Sequence, residues 1–207
     1  GLSFGQKQLF LFSQLFGGAD FLNLPYAYRL AGRLDVQALK KAVQEIVNRH
    51  DILRTAFIDT ADGARQVVRR RLTVRLPIVD LTRLPKESQD KQLDELSKRD
   101  AARTFDLEKP PLFRMTLIRL ADDQNILLVT LHHIIGDQWS TGVFRKELAA
   151  FYAAFSMGLP GPLPPLPFQF SDFIYWQKQL FENGAFDRQV AYWQKRLDGL
   201  SPALQFQ

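Results

Sequence analysis

The chain has 207 residues, with 27 Lys and Arg against 22 Asp and Glu and a formal net charge of +5. That mildly basic balance is not the footprint of a nucleic-acid-binding protein, and the absence of cysteine excludes disulfides and thiolate chemistry and fits a reducing cytoplasm. No apolar run is long enough to span a bilayer and no signal-peptide pattern opens the chain. Hydrophobic residues make up 46% and aromatics 12%, enough for a sizeable core. There is no internal repeat, and the length suits one domain or one lobe of a larger one.

Residues 2–12 predict an amphipathic helix with Ser3 as its N-cap. A Gly-Gly-Ala-Asp loop at 17–20 ends it. A strand is expected over 26–30, after Pro25. Asp35 then caps a helix whose apolar face is Val36, Leu39, Val43, Ile46 and Val47. This helix runs into Arg49-His50-Asp51-Ile52-Leu53-Arg54-Thr55-Ala56-Phe57. Strands at 56–59 and 65–70 flank an Asp62-Gly63 turn, and 73–79 extends the pattern. The basic run holding Arg65, Arg69, Arg70 and Arg71 reads as a solvated strand edge, with a phosphate-contacting patch as the alternative. Residues 85–104 predict a solvated surface helix with Leu93, Leu96 and Ala101-Ala102 as sparse apolar points. Residues 105–112 read as extended.

A hairpin follows, 112–120 against 126–131, and its second strand is a buried apolar run. It delivers His132-His133-Ile134-Ile135-Gly136-Asp137-Gln138-Trp139-Ser140. Beyond, Phe144, Leu148, Phe151, Tyr152 and Phe155 recur at helical spacing. The two histidines therefore stand at a strand end, in a tight loop before a helix, where rigid elements present side chains to a cleft. Neighbours on a strand point to opposite faces, so one histidine faces the interior and one the cleft. They are poor chelators of one metal, and neither a cysteine nor His50 is near in sequence, so no metal is expected. Two packed core histidines are the competing reading; Asp137, Trp139 and Ser140 favour a site. A proline-rich connector at 159–167 leads to helices at 173–181 and 187–197.

Four stretches resemble the motifs of nonribosomal peptide synthetase condensation domains, in the chloramphenicol acetyltransferase-like superfamily. His132-His133 with Asp137 resembles the His-His-x-x-x-Asp-Gly signature, with Gln138 in place of Gly. Ser3, Gln6, Leu9 and Phe10 resemble the first motif, with Gly5 for Ala and Gln8 for Arg. Residues 49–57 resemble Arg-His-Glu-x-Leu-Arg-Thr-x-Phe, with Asp51 for Glu. Phe170, Asp172, Phe173 and Trp176 resemble the fourth motif, with Phe170 for Tyr.

The resemblance implies an α+β fold, a chloramphenicol acetyltransferase-like two-layer sandwich with a mixed sheet covered by helices. It makes 1–207 the N-terminal lobe of a two-lobe domain, with the linker to the second lobe beginning at 204–207. It also implies amide formation between acyl and aminoacyl thioesters. These ride on the phosphopantetheine of donor and acceptor peptidyl carrier proteins, with no cofactor bound directly. The partners would be those carriers, the C-terminal lobe and adjacent synthetase domains, with no nucleic acid and no membrane. His133 would be catalytic. His132 would be structural, and an Arg54–Asp137 ion pair would hold the loop. Gly136, Gln138, Trp139 and Ser140 would line the substrate cavity or begin the helix. Gln138 would cost roughly 1 kcal/mol if its position needed a positive φ. The alternatives are a non-catalytic or epimerising relative that docks carrier or tailoring proteins, and a small trimeric acyltransferase.

Overall fold

The computed structural model describes residues 1–17 and 20–200. The expected 17–20 loop therefore falls partly, and the expected 204–207 linker wholly, outside the described residues. A mixed sheet is the frame. It runs in the order β1 (Asn23–Ala31), β6 (Gln124–His132), β5 (Phe113–Ala121), β4 (Ile78–Asp80), with β4 parallel to β5 and the other pairs antiparallel. A two-residue turn at Asp122-Asp123 closes the central hairpin. β1 starts earlier than expected and contains Pro25. An edge strand tolerates this, because the missing N–H costs no ladder bond on the open side. Of residues 73–79, only 78–79 join a strand. Residues 105–112 carry a turn, closed by Lys109 N–H to Asp106 O at 3.0 Å, instead of running straight.

Period-two alternation splits the central strands between two cores. Met115, Leu117, Leu127, Val129 and Leu131 face the larger one, with α2 (Val36–Arg49) and α4 (Gln138–Ser156). Ile118, Ile126 and Leu128 face the smaller one. There α3 (Lys86–Ala102) contributes Leu93 and Leu96, so the sparse apolar points of that charged helix are its packing face.

The end helices differ in role. α1 (Phe4–Leu15) opens with a capping box between Ser3 and Gln6. Asp35 caps α2 by accepting from Gln37 N and Ala38 N. A separate hairpin, β2 (Thr55–Ile58) with β3 (Arg65–Val68), turns at Gly63, whose φ of 98° suits glycine. The arginines after it are exposed, in line with a solvated edge. α5 (Phe170–Glu182) buries only Ile174, and α6 (Asp187–Leu197) buries nothing. Among the described residues no helix is long and apolar enough to cross a membrane.

Candidate functional site

β6 ends at His132, and a single 3-10 turn, His133–Ile135, leads through Gly136 and Asp137 into α4. The two histidines part at this junction, His132 closing the strand and His133 opening the turn. His132 is 2% exposed and stacks edge-on against Phe105 at 6.2 Å between centroids. Its Nδ1 accepts the Ile134 N–H at 3.1 Å. Burial, and to a smaller degree the neighbouring His133, hold its pKa at about 4 instead of 6.5, so the ring is neutral at physiological pH. His133 is exposed, and its Nδ1 lies 2.9 Å from the Gly136 carbonyl oxygen. A carbonyl only accepts, so Nδ1 carries the proton. In the neutral ring this leaves the Nε2 lone pair available.

Gly136 owes its place to space, since its φ of −179° is extended backbone. A Cβ there would meet Leu131 Cδ1 at 2.9 Å and Ser140 Cβ at 3.2 Å. Gln138 is the first residue of α4, and no non-glycine among the described residues has positive φ. The strain expected of Gln138 is therefore absent. Its side chain instead accepts from the Tyr26 hydroxyl at 3.2 Å.

The expected Arg54–Asp137 pair is not formed. Asp137 caps α4, accepting from Ser140 N at 2.9 Å and Ser140 Oγ at 2.7 Å. These bonds, the side-chain one first, hold its carboxyl below the usual carboxylate range. The Arg54 guanidinium faces its own neighbourhood. It donates to Val47 O at 2.9 Å and Asn48 O at 3.2 Å, to the carbonyls of Arg69 and Arg70, and to Asp51. An ion pair three residues away satisfies the charge locally, so the sequence match could not distinguish the two partners.

A stability experiment separates the two roles. Arg54→Ala strands the buried Val47 carbonyl and leaves the partly exposed Asp51 without its partner, and is expected to cost about 1–3 kcal/mol. Asp137→Ala loses one helix cap, about 1 kcal/mol. The double variant should be additive within about 0.5 kcal/mol in urea titration; coupling well beyond that would restore the direct pair.

A cavity of about 350 Å³ opens beside the loop, between the sheet, α4 and the proline-rich connector. Gly136, Trp139 and Ser140 line it; Gln138 and His133 do not. Its walls are largely apolar, from Ile46, Val129, Leu131, Phe144 and Phe168. His50 also lines it, in a cluster that sequence reasoning missed. His50 Nε2 is 2.7 Å from Glu147 Oε2, and Arg49 Nε donates to Glu147 Oε1 at 3.0 Å. Gln169 ties the connector on, accepting from Asp51 N and donating to Arg49 O, each at 3.0 Å. The available signal was the third histidine beside Arg49, but nothing in the order of residues pointed to Glu147, 97 positions on. Among the described residues no cluster of His, Asp or Glu could hold a metal ion.

A mixed sheet feeds a His-His turn into the start of a long helix, as expected of a chloramphenicol acetyltransferase-like fold. The family model described as Condensation domain matches residues 1–207, and the chain belongs to that family. A linear gramicidin synthase of Brevibacillus parabrevis is 42% identical over 203 residues, covering 98% of this chain and 3% of that protein. Chondramide synthase cmdD of Chondromyces crocatus is 37% identical over 201 residues, covering 97% of this chain and 5% of that one.

Among solved structures, the X-domain of teicoplanin biosynthesis in complex with OxyB is 30% identical, with a TM-score of 0.85. It covers 100% of this chain and 45% of its own. The starter condensation domain of rhizomide synthetase RzmA shares the fold at a TM-score of 0.86 and 22% identity, covering 98% of this chain and 48% of its own. The chain thus spans a small fraction of its curated relatives and about half of each of these solved chains.

Proposed function

We propose that residues 1–207 are the N-terminal lobe of an amide-forming condensation domain in a nonribosomal peptide synthetase, with His133 as its catalytic histidine. The observation that carries this reading is the His133 ring itself. It is exposed at the end of a rigid strand, its Nδ1–H is tied to Gly136, and Nε2 is free to accept a proton or orient an amine. An acceptor amine attacking a donor thioester carbonyl needs such a group: a neutral imidazole can take the proton as the C–N bond forms and the thiolate leaves. Both acyl groups arrive on the phosphopantetheine arms of carrier proteins, so nothing need be bound directly. The apolar cavity beside the loop suits the side chain of a tethered acyl group.

The lobe reading draws support from unburied aromatic surface. Phe4 of α1 meets Phe181 of α5 at 5.0 Å, and both line a groove with Val190, Trp193 and Leu197 of α6. α1 also touches the histidine turn, through Gln6 Nε2 to Ile134 O at 3.1 Å. A second lobe seated on this face would cover the groove and supply the other wall of the site.

The test is a carrier-protein condensation assay of 1–207 alone beside the chain with its natural C-terminal extension. Positioning can be worth roughly 7–11 kcal/mol in a bimolecular step. The lobe alone is therefore expected to form no measurable product, and the extended domain to turn over. Equal product from both would instead indicate a self-assembling acyltransferase. A second reading, a non-catalytic relative that docks a tailoring protein, is favoured by the likeness to an X-domain solved with OxyB. An extended domain that binds carriers and tailoring enzymes but forms no amide would establish it.

A further inference from the structure

Three buried side-chain atoms among the described residues lack a hydrogen-bond partner: Asn23 Oδ1, Asn125 Oδ1 and His132 Nε2. Asn125 lies at the far end of the hairpin, opposite Leu30. The other two belong together. Asn23 and His132 are direct partners in the β1–β6 register, so their side chains share a face of the sheet with Cβ atoms about 4.5–5.5 Å apart.

Their chemistry is complementary. His132 Nδ1 accepts from Ile134 N, so the neutral ring carries its proton on Nε2, a donor. Asn23 Nδ2 donates to Ala101 O at 2.7 Å and Arg103 O at 2.9 Å. That fixes the orientation of the amide and leaves Oδ1 as an acceptor. Asn23 is 7% exposed and His132 2%, and buried polar atoms in native proteins are almost always satisfied, by protein or by ordered water.

We propose that an ordered water bridges His132 Nε2–H to Asn23 Oδ1, and that Asn23 is thereby a positioning residue for the turn carrying His133. The relay runs from the carbonyls at the end of α3 to Asn23, through the water to the His132 ring, and from His132 Nδ1 to the Ile134 N–H. Gln6 holds the same turn from the other side, at Ile134 O. With the ring locked in one tautomer, Nδ1 stays an acceptor and the turn keeps the shape that presents His133 to solvent. The catalytic consequence rests on the condensation reading; the water and the tautomer do not.

Long-range 1H–15N spectra of the imidazoles in 15N-labelled 1–207 test the structural claim. The wild type is expected to show His132 protonated on Nε2, with a cross-peak from Hε2 to a long-lived water. Asn23→Leu should lose the cross-peak, mix the His132 tautomers and shift the His133 Nδ1 resonance. Asn23→Asp keeps an acceptor but replaces both donated bonds to Ala101 O and Arg103 O with a carboxylate near His132, and should favour a His132 ring protonated on both nitrogens. In the extended domain, Asn23→Leu should lower kcat about tenfold with KM little changed. A wild-type proton on Nδ1, a wild-type Hε2 with no water contact, or an Asn23→Asp spectrum matching that of Asn23→Leu would each overturn the proposal. Should Asn23→Leu not fold, the wild-type and Asn23→Asp spectra decide alone. An inactive extended domain with the expected spectra counts against the condensation reading and not against the bridge.

Discussion

His133→Ala in the extended domain is expected to lower condensation by about 10²–10⁴-fold while leaving the fold intact. The range is that of a positioned acid–base group removed from its transition state. Stability should barely move, because the ring is exposed and its one hydrogen bond is to the Gly136 carbonyl; surface changes of this kind usually stay within about 0.5 kcal/mol. The measurement is a rate with carrier-linked donor and acceptor, beside circular dichroism and a urea midpoint for the same protein. Near-wild-type turnover in a folded His133→Ala protein would remove His133 from the chemistry and leave positioning of the two tethered substrates as the source of rate.

Acid should weaken the fold through His132. The folded-state pKa is depressed to about 4 against 6.5 for an ordinary imidazole, by burial first and His133 second. As pH falls through 6.5 the unfolded chain takes up this proton and the folded chain does not. The stability present above pH 6.5 is therefore lost progressively down to about pH 4, where the folded ring also protonates and the loss levels off. At about 1.4 kcal/mol per pH unit, the whole effect is on the order of 3 kcal/mol. Asp137 acts lower in the scale. Its carboxyl is held below the usual range by Ser140, so the stability its cap contributes is fully present above the ordinary carboxylate pKa and is lost as pH falls from there through the depressed folded value. Urea titrations of wild type and His132→Phe between pH 7 and 4.5 separate the two groups. The variant should lose much less stability over that window, and equal slopes would mean that His132 is not buried as a neutral ring.

Much of this architecture is written in local pattern. Asp35 followed by apolar residues at helical spacing specifies α2, because a side-chain acceptor at the N-cap and an apolar stripe act over a few residues. The unbroken apolar run before His132 specifies a central strand, and the strand ends at a buried His132 with the exposed His133 opening the turn that follows. Local signals misjudged what depends on neighbours elsewhere in the chain. Pro25 read as a strand boundary, because only the sheet order shows that β1 is an edge. Leu93 and Leu96 read as incidental on a solvated helix, because the smaller core they complete is built from Leu81 and from β5 and β6.

The candidate site divides in the same way. The order of residues placed two histidines at a strand end, in a tight loop before a helix, one turned inward and one toward a cleft. Strand and helix periods need no information from farther away. Only the tertiary structure decided the partners. It paired Arg54 with Asp51 and the backbone around it, gave Asp137 to Ser140, brought Glu147 to His50 across two helices, and set Asn23 opposite His132. A charged or polar side chain bonds to whichever complementary group folding brings within about 3 Å. Which group that is depends on the register of the sheet and the packing of α2 on α4, and no spacing in the sequence encodes it.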